Sequence, residues 1–232
     1  MAKRSAGLLL ALAMILLAAP LTSAEAAQRA KVLPGLNGTV VAMAGPDANG
    51  VTYLGGTFSS FNPIDTGRGS LARASNGAVD TSFPKVAGGT NGIRAVAADG
   101  SGGFYIGGDF TTVDGVTRNR AAHINSDGSL DANWNPNLGG QVNAIAVSGS
   151  SVYLGGDFTS VGGTTRNRAA KVDATTGALD SSWNPNVSST VNTIAVSGSS
   201  VYLGGKFALT NSINGNTTRN RAAKVDSTNG TV

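Results

Sequence analysis

Pairs of arginines two residues apart carry the densest functional-group chemistry in this sequence. They are Arg118 and Arg120, Arg166 and Arg168, and Arg219 and Arg221, each inside the phrase R-N-R-A-A. Guanidinium forks suit carboxylates, sulfates and phosphates. Residues two apart at a strand start share one side, so the six are expected to form a ring that attracts an anionic polymer or an extracellular protein. The structural alternative is pairing with Asp109, Asp157 or backbone carbonyls of neighbouring units. Little else points to chemistry. The chain has no Cys, one His at position 123, and only Asp as its acidic residue after position 27. Thiol catalysis and thiolate metal sites are therefore excluded, and a Ser-His-Asp arrangement has one histidine to draw on. Asp80, Asp131 and Asp180 recur at one place in a repeat, as structural residues do, and no calcium-loop motif is present. No catalytic residue, metal ligand or cofactor is assigned. Trp134 and Trp183, with Phe83 in the same slot, invite carbohydrate stacking, but their place before N-P-N or P predicts packing between units.

The elements that must position these residues repeat about every 50 positions. Y-[LI]-G-G-x-F begins at Tyr53, Tyr105, Tyr153 and Tyr202, in steps of 52, 48 and 49 residues. R-N-R-A-A follows at Arg118, Arg166 and Arg219, with a degraded form at Arg68, and L-D-x-x-W-N-P-N at Leu130 and Leu179. A fixed period of this size marks stacked or radial supersecondary units. Within a unit the pattern is that of strands: V-N-T-I-A-V, a Ser/Gly turn, V-Y-L-G-G, then R-A-A-K-V-D, an Asx-type turn, and Ala178 to Trp183 as a fourth strand. The pairs Gly55-Gly56, Gly107-Gly108, Gly155-Gly156 and Gly204-Gly205 mark a bulge or a close approach of backbones. Four short antiparallel strands per unit describe a propeller blade. The expected fold is an all-β propeller of four four-stranded blades at about 40–91, 92–141, 142–190 and 191–232. It is either closed by the N-terminal strand 28–39 or a fragment of a larger propeller or repeat array.

Residues 1–27 stand outside the repeat. Lys3 and Arg4, an apolar run from Leu8 to Ala19, and small residues after Pro20 make a secretory signal peptide. The 12-residue run spans about 18 Å, short of a hydrocarbon core. The mature chain is therefore expected to be exported, monomeric and without a membrane anchor. Its charge, 15 basic against 12 acidic groups, is spread too evenly to bind nucleic acid.

The combined phrases resemble the bacterial delta-60-repeat proteins, whose repeats carry Y-L-G-G-x-F, then R-x-x-A-x-[LV]-x, then D-x-x-[WF]-x-P. The resemblance covers residues 32–232 and extends distantly to kelch and galactose-oxidase propellers. It implies fold and export, since that group is not defined by a reaction. The function expected is a secreted, non-catalytic module that binds an extracellular partner or polymer or serves as structure. An extracellular polysaccharide hydrolase or lyase, or a quinoprotein-like oxidoreductase, is the alternative.

Overall fold

Alternating β-branched and small residues, punctuated by Gly and Asx turns, build antiparallel sheets of three principal strands, and this pattern recurs four times. In the computed structural model the described residues are 37–45, 51–61, 64–65, 67, 69–73, 79–80, 83–207 and 220–232. Blade one contains Val40–Ala44, Val51–Gly56 and Gly69–Arg73. Blade two contains Ile93–Ala98, Phe104–Gly108 and Ala121–Ile124. Blade three contains Val142–Ser148, Ser151–Gly156 and Ala169–Asp173, and blade four Val191–Ser197, Ser200–Gly205 and Ala222–Asp226. In each, the second strand is central. The hairpins of blades three and four turn on Gly149 and Gly198, both at a positive φ of 55°, as a two-residue hairpin loop demands. Among the described residues there is no helix, and the signal-peptide expectation for 1–27 lies outside them. So does the part of the proposed closing strand at 28–36.

The fourth strand is shorter than the sequence suggests. It is the two-residue Val79–Asp80 in blade one and a single bridge in blades two and three, Ile124 to Leu130 and Val172 to Leu179. The next residue ends it. Asp131 and Asp180 accept hydrogen bonds from the N–H groups of Asn133 and Ser182, both at 2.9 Å. Such Asx turns divert the chain, so that Trp134 and Trp183 leave their own sheet and enter the next interface. An additional small hairpin sits between the second and third strands, for example Thr112–Val113 with Val116–Thr117.

Both glycines of Y-[LI]-G-G have an identifiable task. Every inner pair has a register shift opposite them, as between Val142 and Ala144. A Cβ on Gly156 would run into the Gln141 carbonyl of that bulge, while one on Gly155 would run into Val191 of the next blade.

The core lies between blades. One apolar cluster joins blades one and two around Phe83, Ile93, Phe104 and Phe110. A second joins two and three around Trp134, Val142 and Leu154, and a third joins three and four around Trp183, Val191 and Leu203. The far face of blade four is uncovered. Tyr202 is 45% exposed, whereas its counterparts Tyr53, Tyr105 and Tyr153 are each 3% exposed. Thr193, Ala195, Ala222 and Lys224 on the same blade are also exposed.

Candidate functional site

The R-N-R phrases of blades two and three fold inward, which changes their expected role. Arg118 and Arg166 are buried, at 6% and 4% exposure. The Arg118 guanidinium donates to the carbonyls of Thr117, Asp131 and Ala132 at 3.0 to 3.1 Å. Arg166 donates to Trp183 O at 3.1 Å and Ser181 O at 3.4 Å. The Nε atom of each is buried without a hydrogen-bond partner. Burial pulls the Arg166 guanidinium below its ordinary value, opposed by the Asp180 charge. The second arginine is not in extended backbone: φ is 69° at Arg120, 59° at Arg168 and 65° at Arg221. A left-handed residue breaks the alternation that would put both members on one side. Arg120 and Arg168 are half-buried, with Nη1 donating to Phe110 O at 3.3 Å and Val187 O at 3.5 Å respectively. Arg221 is exposed, and Arg219 lies outside the described residues. In blades two and three, therefore, these arginines do not make a solvent-facing ring. They tie the phrase to the D-x-x-W turn, because a planar fork can satisfy several converging carbonyls at once. The middle asparagine completes the tie: Asn119 donates to Asn137, and Asn167 to Asn186, at 2.8 Å each.

The aromatic slot sits at the blade interfaces. Trp134 and Trp183 are fully buried. Trp134 Nε1 donates across the interface to Asp173 O at 3.0 Å, and Trp183 Nε1 to Asp226 O at 2.9 Å. The tyrosines follow the same direction, Tyr105 to Ala174 O at 2.7 Å and Tyr153 to Ser227 O at 3.3 Å. Phe83, 9% exposed, packs edge-on to Tyr53 with centroids 5.8 Å apart.

His123 is more engaged than its isolation in the sequence suggests. Its side chain is 12% exposed, with Nε2 3.1 Å from Asp99 and Nδ1 3.0 Å from Asp131. A ring carrying both protons donates to both carboxylates; a neutral ring donates to one. It also stacks on Tyr105 at 4.3 Å. Burial pushes both Asp carboxyls up, yet hydrogen bonds outweigh it and hold each below the ordinary value. For Asp99 these come from Ser101, His123 and Gly103; for Asp131 from His123, Asn133 and Trp134. Burial, with the charges of Asp99, Asp131 and Asp173, pushes the Tyr105 hydroxyl up to about 12. In blade three Lys171 stands in the same place and pairs with Asp180 at 3.1 Å. The cluster thus serves the interface between blades two and three, and neither ring nitrogen is left for proton transfer.

The four inner strands converge on a central cavity of about 230 Å³, lined by residues from each blade. Position two of these strands is Val41, Arg94, Asn143 and Asn192. Among the described residues, Arg94 is the one charged residue in that lining. The sequence signal was available: Arg94 interrupts a position that its repeats fill with uncharged side chains. Longer departures from the repeat fall at 61–67 and 208–216; Ala208 to Asn216, and Asn62, Pro63 and Thr66 of the first, lie outside the described residues.

Comparison with known proteins agrees with this geometry. A family model described as "Domain of unknown function (DUF5122) beta-propeller" matches residues 104–133 and 151–182. These spans run from the second strand of blades two and three into the turn before the tryptophan. No curated protein matches the chain. Among solved structures, the computationally designed Ika4 protein is 14% identical, with a TM-score of 0.52, covering 84% of this chain and 94% of its own. The computationally designed Ika8 protein is 12% identical, with a TM-score of 0.42, covering 83% of this chain and 59% of its own. A nidogen/laminin complex chain is 12% identical, with a TM-score of 0.47, covering 82% and 76%. The all-β architecture of the described residues, its repeated antiparallel sheets and the family match together identify the fold as a β-propeller built from repeats.

Proposed function

We propose that this chain is a secreted, non-catalytic β-propeller of the delta-60-repeat kind, serving as a structural and binding module. Its partner is a protein that presents a further unit of the same repeat to blade four. The observation that carries this is the open face of that blade, where Tyr202 is 45% exposed. Three interfaces inside the chain provide the template. At two of them a tyrosine and a tryptophan donate to carbonyls in the Asx turn of the next blade. Blade four displays the same tyrosine, and among the described residues its hydroxyl has no hydrogen-bond partner. Export is supported by the charged, apolar and small-residue order of residues 1–27. Against the enzyme alternative stands the way the buried titratable groups satisfy one another, as His123 does with Asp99 and Asp131.

A chain extended after Val232 by a second copy of residues 180–232 tests this, because Val232 aligns with Leu179 and the copy continues the register. The extended chain is expected to melt higher and to shield Tyr202 from nitration, and Tyr202→Asp should cancel both gains. An extension that leaves melting and nitration unchanged would show that the face does not receive another unit.

A further inference from the structure

We infer that the central cavity binds a small monocarboxylate with an apolar body, gripped by Arg94. This goes beyond the docking role of blade four and is independent of it. Arg94 is half-buried on the inner strand of blade two, and its Nε donates to Asn143 Oδ1 at 3.1 Å. That bond orients the guanidinium and uses one of its five donors. Among the described residues, the Nη groups have no hydrogen-bond or ion-pair partner. No carboxylate among the described residues belongs to the cavity lining. Asp157, from a neighbouring strand, accepts at 3.4 Å from the Asn143 amide instead of from Arg94.

The site's chemistry defines its ligand. Two Nη groups in one plane match the two oxygens of a carboxylate bidentately. Asn192, from blade four, adds an amide to the same cavity. Thr193 and backbone groups add polar wall, and the apolar part comes from residues such as Ala95, Val96, Ile145 and Ile194. They favour an alkyl group over the fully polar surface of sulfate or phosphate. At about 230 Å³ the cavity falls below the usual range for drug-sized ligands, which favours a short chain.

Butanoate is the probe, titrated into the mature protein by isothermal calorimetry, with sulfate and butylammonium as controls. Saturable butanoate binding is expected, with sulfate weaker and butylammonium absent. Arg94→Asn, which installs the residue found at this place in blades three and four, should weaken binding by about tenfold or more, the effect of losing a charged hydrogen-bond pair. Arg94→Lys should recover only part of it, since an ammonium cannot bind in bidentate fashion. Circular dichroism melting checks that both variants fold. The assignment is overturned if butanoate shows no saturable binding, if Arg94→Asn binds as well as wild type, or if sulfate binds as tightly as butanoate.

Discussion

Replacing Trp183 separates two contributions to the interface between blades three and four. The indole is fully buried, its Nε1 donates to Asp226 O at 2.9 Å, and its ring meets Tyr153 edge-on at 5.3 Å. Trp183→Ala removes all three contacts, and large-to-small aromatic changes in cores cost about 3 to 5 kcal/mol. Trp183→Phe keeps much of the ring but removes the indole donor to Asp226 O, which still accepts from Gly230 N–H at 3.0 Å, a loss of about 0.5 to 1.5 kcal/mol. Blade one already uses Phe83 in this slot, so the smaller change is compatible with folding. For a chain of this length each kcal/mol corresponds to about 2 to 4 °C in melting temperature. Urea unfolding followed by fluorescence is well suited, because the sequence has two tryptophans and Trp134 remains as a reporter of the interface between blades two and three. Neighbouring units in repeat proteins exchange stability mainly through their shared interfaces. Blade four should therefore lose ellipticity before the Trp134 signal changes in Trp183→Ala. A loss below about 0.5 kcal/mol, the range of an ordinary surface substitution, would refute the interface assignment.

Two further outcomes follow from the buried polar groups. Arg166→Met should lower stability by about 1 to 3 kcal/mol by stranding the Trp183 and Ser181 carbonyls, while salt-dependent retention on heparin stays as in wild type; lost retention with unchanged stability would return this residue to a binding surface. Acid should also destabilise the fold. Asp99, Asp131, Asp173 and Asp180 are held below the ordinary 3.8 in the native state, so the unfolded chain binds more protons in acid. Their contribution is complete above that value and is lost as pH falls through the native values. Melting temperature should drop below about pH 4, and a flat profile from pH 5 to 3 would contradict these hydrogen-bond assignments.

The blade order and the aromatic slot were legible because period, turn residues and apolar alternation all act locally. The glycine pairs were legible as well, although one glycine admits the bulge and the other admits the neighbouring blade. For the arginines of blades two and three the backbone-carbonyl alternative, not the ring, is what the structure shows, and the reason is physical. Charge suggests solvent and a spacing of two suggests one strand face, but a left-handed residue at Arg120 and Arg168 breaks the strand. Converging carbonyls then offer Arg118 and Arg166 a buried destination. The clamp on His123 was not legible because Asp99, one of its two partners, comes from a turn 24 positions away. The fourth strand was drawn too long because Asp180 was counted as part of it, whereas its carboxylate caps a turn.

The aromatic side-chain donations across the interfaces between blades two and three and between three and four run one way, from the earlier blade's tyrosine and tryptophan to the later blade's carbonyls. This polarity has a consequence for folding fidelity. Matching donors and acceptors make neighbours interchangeable, so blade two can in principle seat itself on blade four and leave blade three stranded, a misassembly characteristic of repeat chains. The residue opposite the tyrosine offers a distinguishing mark: a histidine clamped by two carboxylates in blade two, and a lysine paired with one in blade three. The departure at His123 thereby labels one junction as unlike the next, which penalises skipping a blade during collapse.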